Sequence, residues 1–357
     1  MNNGTLLKNS LELFNPSVIP GWNYIVLQND DYSIFHSKEW SQLLATTYGY
    51  KPSFIGSFEN SRLIFLLALM DIKSIFTGQR FVSMPFSDYC EPFGNSEILS
   101  DFLSNSETHN KYIGYKYIEL RGGESFLSNQ PVYSYGYVHK INLSKSEEEL
   151  YLALRDSIKR NIKKAAREGV NVRIARNIES VNDFYKLNLS TRKKHGLPPQ
   201  PLKFFKHLEN FLIKNGLCEI IEARYKDRVI ASSIFLLFGK KVLYKYGASD
   251  YEFQNLRPND LLFWEAIKHY SELGYSEFSF GRTNSKNETL RKFKLGWGVQ
   301  EHSSSYFRYN LRSKQFISSD KVSFDSPGET GIHNQIFKYS PKSLLKLLGT
   351  VTYRHMG

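Results

Sequence analysis

The sequence Glu-Phe-Ser-Phe-Gly-Arg at residues 277–282 is followed closely by Phe-Lys-Leu-Gly-Trp-Gly at residues 293–298. The first segment predicts a short apolar strand that runs into Gly281, and a polar loop and a short helix then lead to Lys294. Because α/β sheets usually bind ligands at the carboxyl ends of their strands, this arrangement places one flexible cation at a candidate ligand site.

Length and composition indicate a globular protein with anionic partners. The 357 residues are enough for two domains of ordinary size, and 41% hydrophobic and 15% aromatic residues exclude a disordered or fibrous chain. The formal charge of +12 favours nucleic acid, a phosphorylated cofactor or anionic lipid as a partner. The alternative is an ordinary basic protein that binds none of them.

The two cysteines predict neither a disulfide framework nor a metal site, because their separation fits no metal-ligand spacing. Cys218 lies in an apolar run and is expected in the core, whereas Cys90 lies in a loop where a nucleophilic role stays open. The N-terminus lacks a signal-peptide pattern, and the longest apolar run, residues 63–70, is too short to span a bilayer. We therefore expect a soluble, cytoplasmic protein.

The second half of the chain predicts alternating helices and strands. Ser146 and Glu149 form a capping box that opens a helix ending near Gly169. A strand, two helices, three strands joined by tight turns, a helix, a strand, a short helix and a last strand follow up to residue 310. This order resembles the topology of GNAT acyltransferases, and the resemblance implies a mixed sheet that is splayed at its middle to admit a pantetheine-like arm.

The first half repeats this order more loosely, so the chain is expected to contain two copies of one fold. The predicted fold class is α/β (α+β with a mixed sheet), with two GNAT-like acyltransferase domains in tandem. Residues 1–145 form the first predicted domain and residues 146–312 the second. Residues 313–357 form a tail that carries a short amphipathic helix after Pro341.

Several short motifs, taken in order, resemble the FemAB/FemX peptidyltransferase family and the related BioF2-like acetyltransferase domains. They are Phe-His-Ser-Lys-Glu-Trp at residues 35–40, Pro-Phe-Ser-Asp-Tyr at 85–89, Ser-Ile-Lys-Arg-Asn-Ile-Lys-Lys-Ala at 157–165, Tyr-Lys-Tyr-Gly-Ala-Ser at 244–249 and the opening pair. The resemblance implies transfer of an aminoacyl or acyl group to an amine on a nucleotide- or lipid-linked precursor of the cell envelope, as in peptidoglycan biogenesis. It implies aminoacyl-tRNA or acyl-CoA as co-substrate, with no tightly bound cofactor and no metal.

The resemblance also implies roles for individual residues. Lys294 is the catalytic candidate, because an ammonium in a dry cleft neutralises a developing oxyanion, and a surface lysine on an amphipathic helix is the alternative. The residues implied in substrate binding are Tyr246, Tyr244, Arg192, Arg282, Trp40 and Asp88.

Two of these assignments have explicit structural alternatives. Tyr244 and Tyr246 are predicted to share one face of a strand, where aromatic packing alone would also explain them. Arg192 suits either an acceptor phosphate, through bidentate hydrogen bonds, or the dipole at a helix C-terminus.

The predicted donor site departs from that of an ordinary acetyltransferase. GNAT proteins hold a pyrophosphate with a glycine-rich turn at a helix N-terminus, but residues 254–260, Gln-Asn-Leu-Arg-Pro-Asn-Asp, contain no glycine, and Asp260 would repel a phosphate. This disfavours conventional CoA binding and favours a Fem-like donor. The candidate donor-binding residues are Arg257, Lys159, Arg160 and Lys163, the last three on a basic helix that suits a phosphate backbone or is simply a solvated face.

Two further hypotheses stay open. One is an acyl-CoA-dependent N-acyltransferase that modifies a surface polysaccharide or lipid, and the other is a degenerate double-GNAT protein that binds tRNA or an envelope precursor without turnover. The leucine- and lysine-containing helix after Pro341 suits peripheral contact with the inner membrane surface, or packing against the second domain.

Overall fold

The computed structural model describes residues 11–105, 110–319 and 337–357. The chain divides into two compact units, of which the first contains Met1–Ser134, Ser305–Ser319 and Gly357, and the second contains Tyr135–Ser304 and Asp320–Met356. This division differs from the expected domain boundaries at residues 145 and 312, which stay predictions. Residues 135–142 group with the second unit because they pair with a strand of that unit.

The first unit contains short helices and two sheets. Its helices are α1 (Trp22–Leu27), α2 (Lys38–Tyr48) and α3 (Ser96–Ser104), with single 3-10 turns at Pro16–Val18 and Ile34–His36. Its strands are β1 (Glu12–Phe14), β2 (Lys51–Pro52), β3 (Phe54–Glu59), β4 (Arg62–Leu67), β5 (Met70–Ser74), β6 (Gly78–Val82), β7 (Phe93–Gly94) and β8 (Tyr115–Arg121).

One sheet of the first unit has the strand order β1-β3-β4-β7, and the other contains β2, β5, β6 and β8, with β6 and β8 parallel. The consecutive strands β4 and β5 lie in different sheets, because β4 pairs with β3 and β5 pairs with β6. Helix α2 begins where Ser37 accepts a hydrogen bond from the Trp40 amide and ends at Gly49, whose φ is +76°.

The second unit begins with β9 (Ser134–Asn142), which starts one residue before the division. Its helices are α4 (Glu147–Leu152), α5 (Asp156–Arg167), α6 (Ile178–Lys194), α7 (Leu202–Leu208, continued by a π-helical turn at Glu209–Ile213), α8 (Pro258–Glu272, preceded by a 3-10 helix at Tyr251–Leu256), α9 (Glu288–Leu295) and α10 (Lys342–Met356). Its further strands are β10 (Asn171–Ala175), β11 (Cys218–Tyr225), β12 (Arg228–Phe238), β13 (Lys241–Ser249) and β14 (Glu277–Asn284).

The last two strands in the sequence lie near the division between the units. The strand β15 (Gln300–Asn310) is split between the units after Ser304, and β16 (Gln315–Phe316) pairs with its final residues. Within the first unit, β15 pairs with β8 from Tyr306 onward.

The helix predicted from the capping box to Gly169 is interrupted, so that prediction is wrong in one respect. Ser146 and Glu149 do cap α4 reciprocally. The chain then extends at Arg155, whose amide donates to the carbonyl oxygen of Gly296 at 2.9 Å, before α5 begins. This tertiary hydrogen bond replaces the helical one that a continuous helix would have made.

The second unit has the predicted mixed sheet, with the order β10-β11-β12-β13-β14-β9. Its neighbours are antiparallel except β13 and β14, which are parallel and pair only from Lys241 to Leu243 against Glu277 to Ser279. Beyond these residues the two strands do not pair with each other in the described structure, although β13 continues to Ser249 and β14 to Asn284. The mixed α/β fold class is therefore confirmed, with a sheet splayed at its middle.

Candidate active site

Gly281 forms a bulge in β14. On β9, Lys140 pairs with Ser279 and Val138 pairs with Arg282, so Gly281 and its preceding phenylalanine together face one residue of β9. Gly281 has φ +68°, in the left-handed region that a residue without Cβ enters at little cost. The bulge presents successive backbone carbonyl groups to the end of helix α9.

Lys294 binds these carbonyl groups. Its side chain lies in the last turn of α9 and is only 3% exposed, and Nζ donates to the carbonyl oxygens of Gly281 at 3.0 Å and Arg282 at 3.3 Å. The interpretation of Lys294 as a surface lysine is therefore wrong, whereas its neighbour Lys292 is exposed. A buried ammonium fixed by backbone oxygens acts on nearby charge far more strongly than a solvated one.

The Gly-Trp-Gly segment after Lys294 fixes the position of helix α9. Trp297 is buried and packs edge-on against Phe263 of α8, with ring centroids 5.6 Å apart. Gly298 has φ +69°, and a Cβ there would lie 2.7 Å from the Cβ of Ala153. The segment therefore needs glycine in order to pack against the junction of α4 and α5.

The sequence analysis missed a histidine and a carboxylate beside Lys294. His139 lies on β9 opposite the bulge and is fully buried, and its Nε2 lies 2.9 Å from Oε2 of Glu301. Arg291 donates to both carboxylate oxygens of Glu301, at 2.8 and 2.7 Å, and its guanidinium stacks on Tyr137. These residues form a connected polar cluster at the end of β14.

The charges in this cluster determine the proton positions. Burial and the charge of Lys294 lower the pKa of His139, and the hydrogen bonds from Arg291 lower the pKa of Glu301. Because an ionised carboxylate only accepts, Nε2 of His139 carries the proton and Nδ1 presents a lone pair. Nδ1 is buried and has no hydrogen-bond partner among the residues that the structure describes.

No sequence pattern identified this pair. Alternation along β9 is compatible with a core role for His139, and Glu301 lies 162 residues away in the sequence. Only the register of β9 against the bulged strand brings the histidine to Lys294.

Tyr244 and Tyr246 lie on opposite faces of the sheet, so the prediction of a shared face is wrong. Two adjacent residues of β12 pair with Tyr244 and Tyr246, which leaves Lys245 as the extra residue of a second bulge. Tyr244 packs edge-on against Phe263 of α8 at 4.8 Å, and Tyr246 packs against Phe205 of α7 at 5.8 Å. The bulge shifts the alternation of side chains by one position.

The two arginines expected to bind substrate have partners within the second unit. Arg192 donates to the carbonyl oxygen of Pro198 at 3.3 Å and to the hydroxyl of Tyr353 on α10 at 3.0 Å. The guanidinium of Arg282 lies over Gly136, where a Cβ would approach Cζ to 2.9 Å. Their roles in substrate binding stay predictions.

Trp40 and Asp88 lie in the first unit. Trp40 is fully buried and packs edge-on against Phe35 at 5.0 Å, and its role in substrate binding stays a prediction. Asp88 is partly buried, and its backbone carbonyl accepts a hydrogen bond from the Tyr306 hydroxyl at 2.8 Å.

The loop at residues 254–260, expected near a donor pyrophosphate, contains a residue with a left-handed backbone conformation, although it contains no glycine. Arg257 has φ +58° and precedes Pro258, the first residue of α8. Burial raises the pKa of Asp260 in the first turn of this helix. A basic residue therefore adopts the conformation that glycine adopts easily, at a cost of about 1–2 kcal/mol.

The basic residues of α5 differ in their availability. The ammonium of Lys159 donates to the carbonyl oxygen of Leu152 at 3.0 Å and lies 3.7 Å from Asp156. Arg160 and Lys163 are exposed on the same helix. The solvent-facing charge of α5 therefore comes mainly from residues other than Lys159.

An open cavity of about 860 Å³ lies in the second unit beside the carboxyl end of β13. Helix α6 and the segment after β13 line it, with Thr191 and Lys194 on one side and Ser249, Tyr251 and Gln254 on the other. The ammonium of Lys194 lies 3.3 Å from the ring centroid of Tyr251. Its volume is in the range of small-molecule sites.

Cys90 is not a nucleophile candidate in this structure. The thiol is buried, its Sγ lies 3.4 Å from Nε2 of His36, and burial raises its pKa far above the ordinary value. A reactive thiolate needs the opposite environment. Cys218 is buried in the same way.

Within residues 11–105, 110–319 and 337–357, no group of three or more histidine, cysteine or acidic side chains is arranged to hold a metal ion. Among the helices in these ranges, none combines the length and the apolar character needed to cross a membrane.

Comparison with known proteins identifies the relatives of this chain. Residues 153–295 match the family described as the acetyltransferase (GNAT) domain. The lipid II:glycine glycyltransferase of Staphylococcus epidermidis is 26% identical over 117 residues, which is 31% of this chain and 28% of that enzyme. The chain is FemAB/FemX-like. The UDP-N-acetylmuramoylpentapeptide-lysine N(6)-alanyltransferase of Weissella viridescens is 24% identical over 91 residues, which is 26% of this chain and 27% of that enzyme. This Fem-like chain thus spans less than a third of the length of either curated relative.

Solved structures extend the likeness over most of the chain. A crystal structure of FemX has a TM-score of 0.65 at 13% identity and covers 83% of this chain and 96% of that one. A tandem GNAT protein from the clavulanic acid biosynthesis pathway has a TM-score of 0.51 at 7% identity, with coverage of 85% and 98%. At these identities the likeness concerns the fold, and it confirms the prediction of two GNAT-like domains in tandem.

Proposed function

We propose that this Fem-like chain is an N-acyltransferase that moves an aminoacyl or acyl group from an activated donor to an amine on a cell-envelope precursor. The observation that carries the proposal is the buried ammonium of Lys294, held at the end of the splayed strand β14 by the carbonyl groups of Gly281 and Arg282. The similarity to a lipid II:glycine glycyltransferase and to a UDP-N-acetylmuramoylpentapeptide-lysine N(6)-alanyltransferase supports a precursor of this kind as the acceptor.

In the proposed reaction the acceptor amine attacks the carbonyl carbon of the donor, and negative charge develops on the carbonyl oxygen. The fixed charge of Lys294 stabilises this oxyanion without reorganising, because backbone oxygens already hold the ammonium in place. The new amide forms as the donor's ester or thioester oxygen or sulfur leaves, and the amine loses a proton.

His139 is the proposed proton acceptor for the amine. Its Nδ1 presents a lone pair beside Lys294, and Glu301 fixes the ring through Nε2. A carboxylate that orients a neutral imidazole is the arrangement that enzymes use for general base catalysis. Because Nδ1 is buried, proton transfer requires that the acceptor amine reaches the buried cluster around His139.

Aminoacyl-tRNA is the proposed donor. Arg257, and not a glycine, occupies the left-handed turn before α8, and a carboxyl group, Asp260, lies in the first turn, where a pyrophosphate would need amide groups and no negative charge. The exposed cations of α5, Arg160 and Lys163, suit the phosphate backbone of a tRNA. The match to an acetyltransferase (GNAT) domain keeps acyl-CoA as the second candidate.

Substitution of Lys294 tests the proposed chemistry. We expect Lys294→Met to lower kcat by about 10²–10³-fold, since removal of one oxyanion-stabilising group has that effect, with a smaller change in KM. Turnover is measured with lipid II or UDP-N-acetylmuramoyl pentapeptide as acceptor and with aminoacyl-tRNA or acyl-CoA as donor.

The exposed neighbour Lys292 provides the matched control, because Lys292→Met changes the same residue type on the same helix. Thermal unfolding of both variants separates a loss of chemistry from a loss of folding. Near-wild-type turnover by a folded Lys294→Met variant would refute the catalytic assignment. Mass spectrometry of ligands that co-purify with the wild-type chain separates the donors, since bound CoA contradicts the tRNA proposal.

A further inference from the structure

One end of the large sheet in the first unit carries exposed apolar side chains surrounded by cations. Three loops meet there, at residues 73–78, 110–116 and 311–314, and together they are called the tip surface. None of the roles assigned above involves this surface.

Strand pairing brings the three loops together. β6 and β8 are parallel, and Gln79 pairs with Tyr115, so the residues that precede both strands lie at the same end of the sheet. The amide of Leu311 donates to the carbonyl oxygen of Lys116 at 3.1 Å, which brings the third loop alongside. Neighbouring strands lie about 5 Å apart, so the loops form one continuous surface.

Large apolar side chains project from this surface. Ile75 is 86% exposed and Phe76 is 71% exposed at the turn between β5 and β6, and Ile113 is 80% exposed before β8. Single exposed apolar residues are ordinary on a protein surface. A cluster of three large apolar side chains, two of them adjacent at a hairpin turn, is a feature of interaction surfaces.

Two backbone amides of the hairpin turn have hydrogen-bond acceptors within the turn itself. The hydroxyl oxygen of Ser74 accepts hydrogen bonds from the amides of Phe76 at 3.2 Å and Thr77 at 3.0 Å. A turn that bonds its amides internally leaves fewer backbone groups to be desolvated when its side chains enter an apolar phase.

The charged side chains of the three loops themselves all have one sign, and the neighbouring carboxylate of Asp71 is buried, where it accepts a hydrogen bond from the Tyr115 hydroxyl at 2.8 Å. The three loops contain the cations Lys73, Lys111, Lys116, Arg312 and Lys314, all of them exposed, and their sequences contain no aspartate or glutamate. An apolar tip surrounded by positive charge complements a lipid bilayer with anionic headgroups.

We propose that the tip surface docks the chain on an anionic lipid bilayer. Ile75, Phe76 and Ile113 enter the headgroup region, and the five surrounding cations pair with lipid phosphates. Nucleic acid is a poorer fit, because two of the three exposed apolar side chains are isoleucines, which offer no ring on which a base can stack. The proposal stands on the tip surface alone and does not require that the acceptor be lipid-linked.

Vesicle co-sedimentation of the full chain tests the docking. Extruded vesicles of phosphatidylglycerol and phosphatidylcholine are compared with vesicles of phosphatidylcholine alone. We expect binding to the anionic vesicles that weakens as salt rises, and a loss of at least tenfold in affinity for the Ile75→Ser/Phe76→Ser variant. The Arg312→Ser/Lys314→Ser variant is expected to lose affinity for anionic vesicles to a smaller extent.

Matched controls separate the tip surface from other exposed apolar residues. Val18→Ser/Tyr24→Ser changes two comparably exposed residues of the first unit and should bind vesicles as the wild type does. Leu344→Ser/Leu347→Ser removes exposed leucines of α10, the helix for which the sequence suggested membrane contact, and should also leave binding unchanged. All of these variants alter exposed side chains, and unchanged thermal unfolding shows that they fold.

Several outcomes would overturn the proposal. These are the absence of binding to anionic vesicles, equal binding by the Ile75→Ser/Phe76→Ser variant, and loss of vesicle binding only in the α10 variant. A change of self-association or of tRNA affinity in the hairpin variant, with vesicle binding intact, would assign the surface to a second copy or to RNA instead.

Discussion

The buried imidazole of His139 connects the pH of the medium to the stability of the second unit. Burial and the charge of Lys294 lower its pKa below the ordinary value of 6.5, whereas Glu301 acts in the opposite direction. In the unfolded chain this histidine takes up a proton near pH 6.5, but in the folded chain it does so only at lower pH. The folded state therefore loses stability as pH falls below about 6.5.

A comparison of His139→Gln with the wild type measures this effect. We expect the wild type to lose more unfolding free energy than the variant between pH 7.5 and pH 5.5, because glutamine has no proton to gain. Urea unfolding at both pH values provides the measurement. His302→Gln, which alters an exposed histidine of β15, is the control and should follow the wild type.

Equal pH dependence in His139→Gln and the wild type would contradict the assignment of a neutral, buried imidazole. At this scale the sequence made Lys294 a candidate, because it lies between Phe293 and the Gly-Trp-Gly segment in a recognisable motif. It did not identify His139, since one histidine in a strand has many roles and its neighbours across the sheet cannot be read from spacing.

Glycines determine the geometry of the elements around Lys294. Gly281 allows the bulge in β14, and Gly298 allows the chain after α9 to lie against Ala153. The sequence indicated that these glycines mattered, but the bulges at Gly281 and Lys245 depend on how adjacent strands pair. The break between α4 and α5 likewise depends on the hydrogen bond between Arg155 and Gly296.

Two glycine substitutions test the close contact between Gly298 and Ala153. Gly298 and Gly169 both have positive φ, at +69° and +84°, but only Gly298 has atoms within 4 Å of an added Cβ. We expect Gly169→Ala to cost about 1 kcal/mol from backbone strain alone, and Gly298→Ala about 2–4 kcal/mol, since the clash adds to the strain. Urea unfolding measures both.

If Gly298→Ala and Gly169→Ala are equally stable, the contact with Ala153 does not fix the segment after α9. If Gly298→Ala alone also lowers turnover while it remains folded at the assay temperature, the position of α9 contributes to the placement of Lys294.

The whole molecule carries a formal charge of +12, and its solvent-facing cations are the part that can meet an anionic partner. On α5, Arg160 and Lys163 are exposed, whereas Lys159 is engaged with Leu152 and Asp156. The net charge alone favoured several partners equally. The location of the charges separates a helix suited to RNA from a tip surface suited to lipid.

Salt dependence tests the role of α5 in donor binding. The plot of log K against log salt for tRNA binding has a negative slope. We expect its magnitude to decrease by about 2 in Arg160→Ser/Lys163→Ser, since each phosphate contact contributes about 1. Filter binding at several salt concentrations gives the slope. Lys186→Ser/Lys214→Ser removes two lysines that pair with acids elsewhere in the second unit, and is expected to change the slope less.

An unchanged slope in Arg160→Ser/Lys163→Ser would remove α5 from the proposed tRNA site. The same variant should bind anionic vesicles normally, because the tip surface lies in the first unit.

Local patterns of the sequence were sufficient for most of the order of helices and strands in the second unit and for the capping box at Ser146, and they selected Lys294 as the catalytic candidate. These features depend on residues close together in the chain, where periodicity and glycine positions act directly. The opposite faces of Tyr244 and Tyr246, the burial of Trp40, the contact between His139 and Glu301 and the assembly of the tip surface depend on strand register and packing. Register joins residues far apart in the chain, and a single bulge reverses which face a side chain occupies, so these features follow from the folded structure.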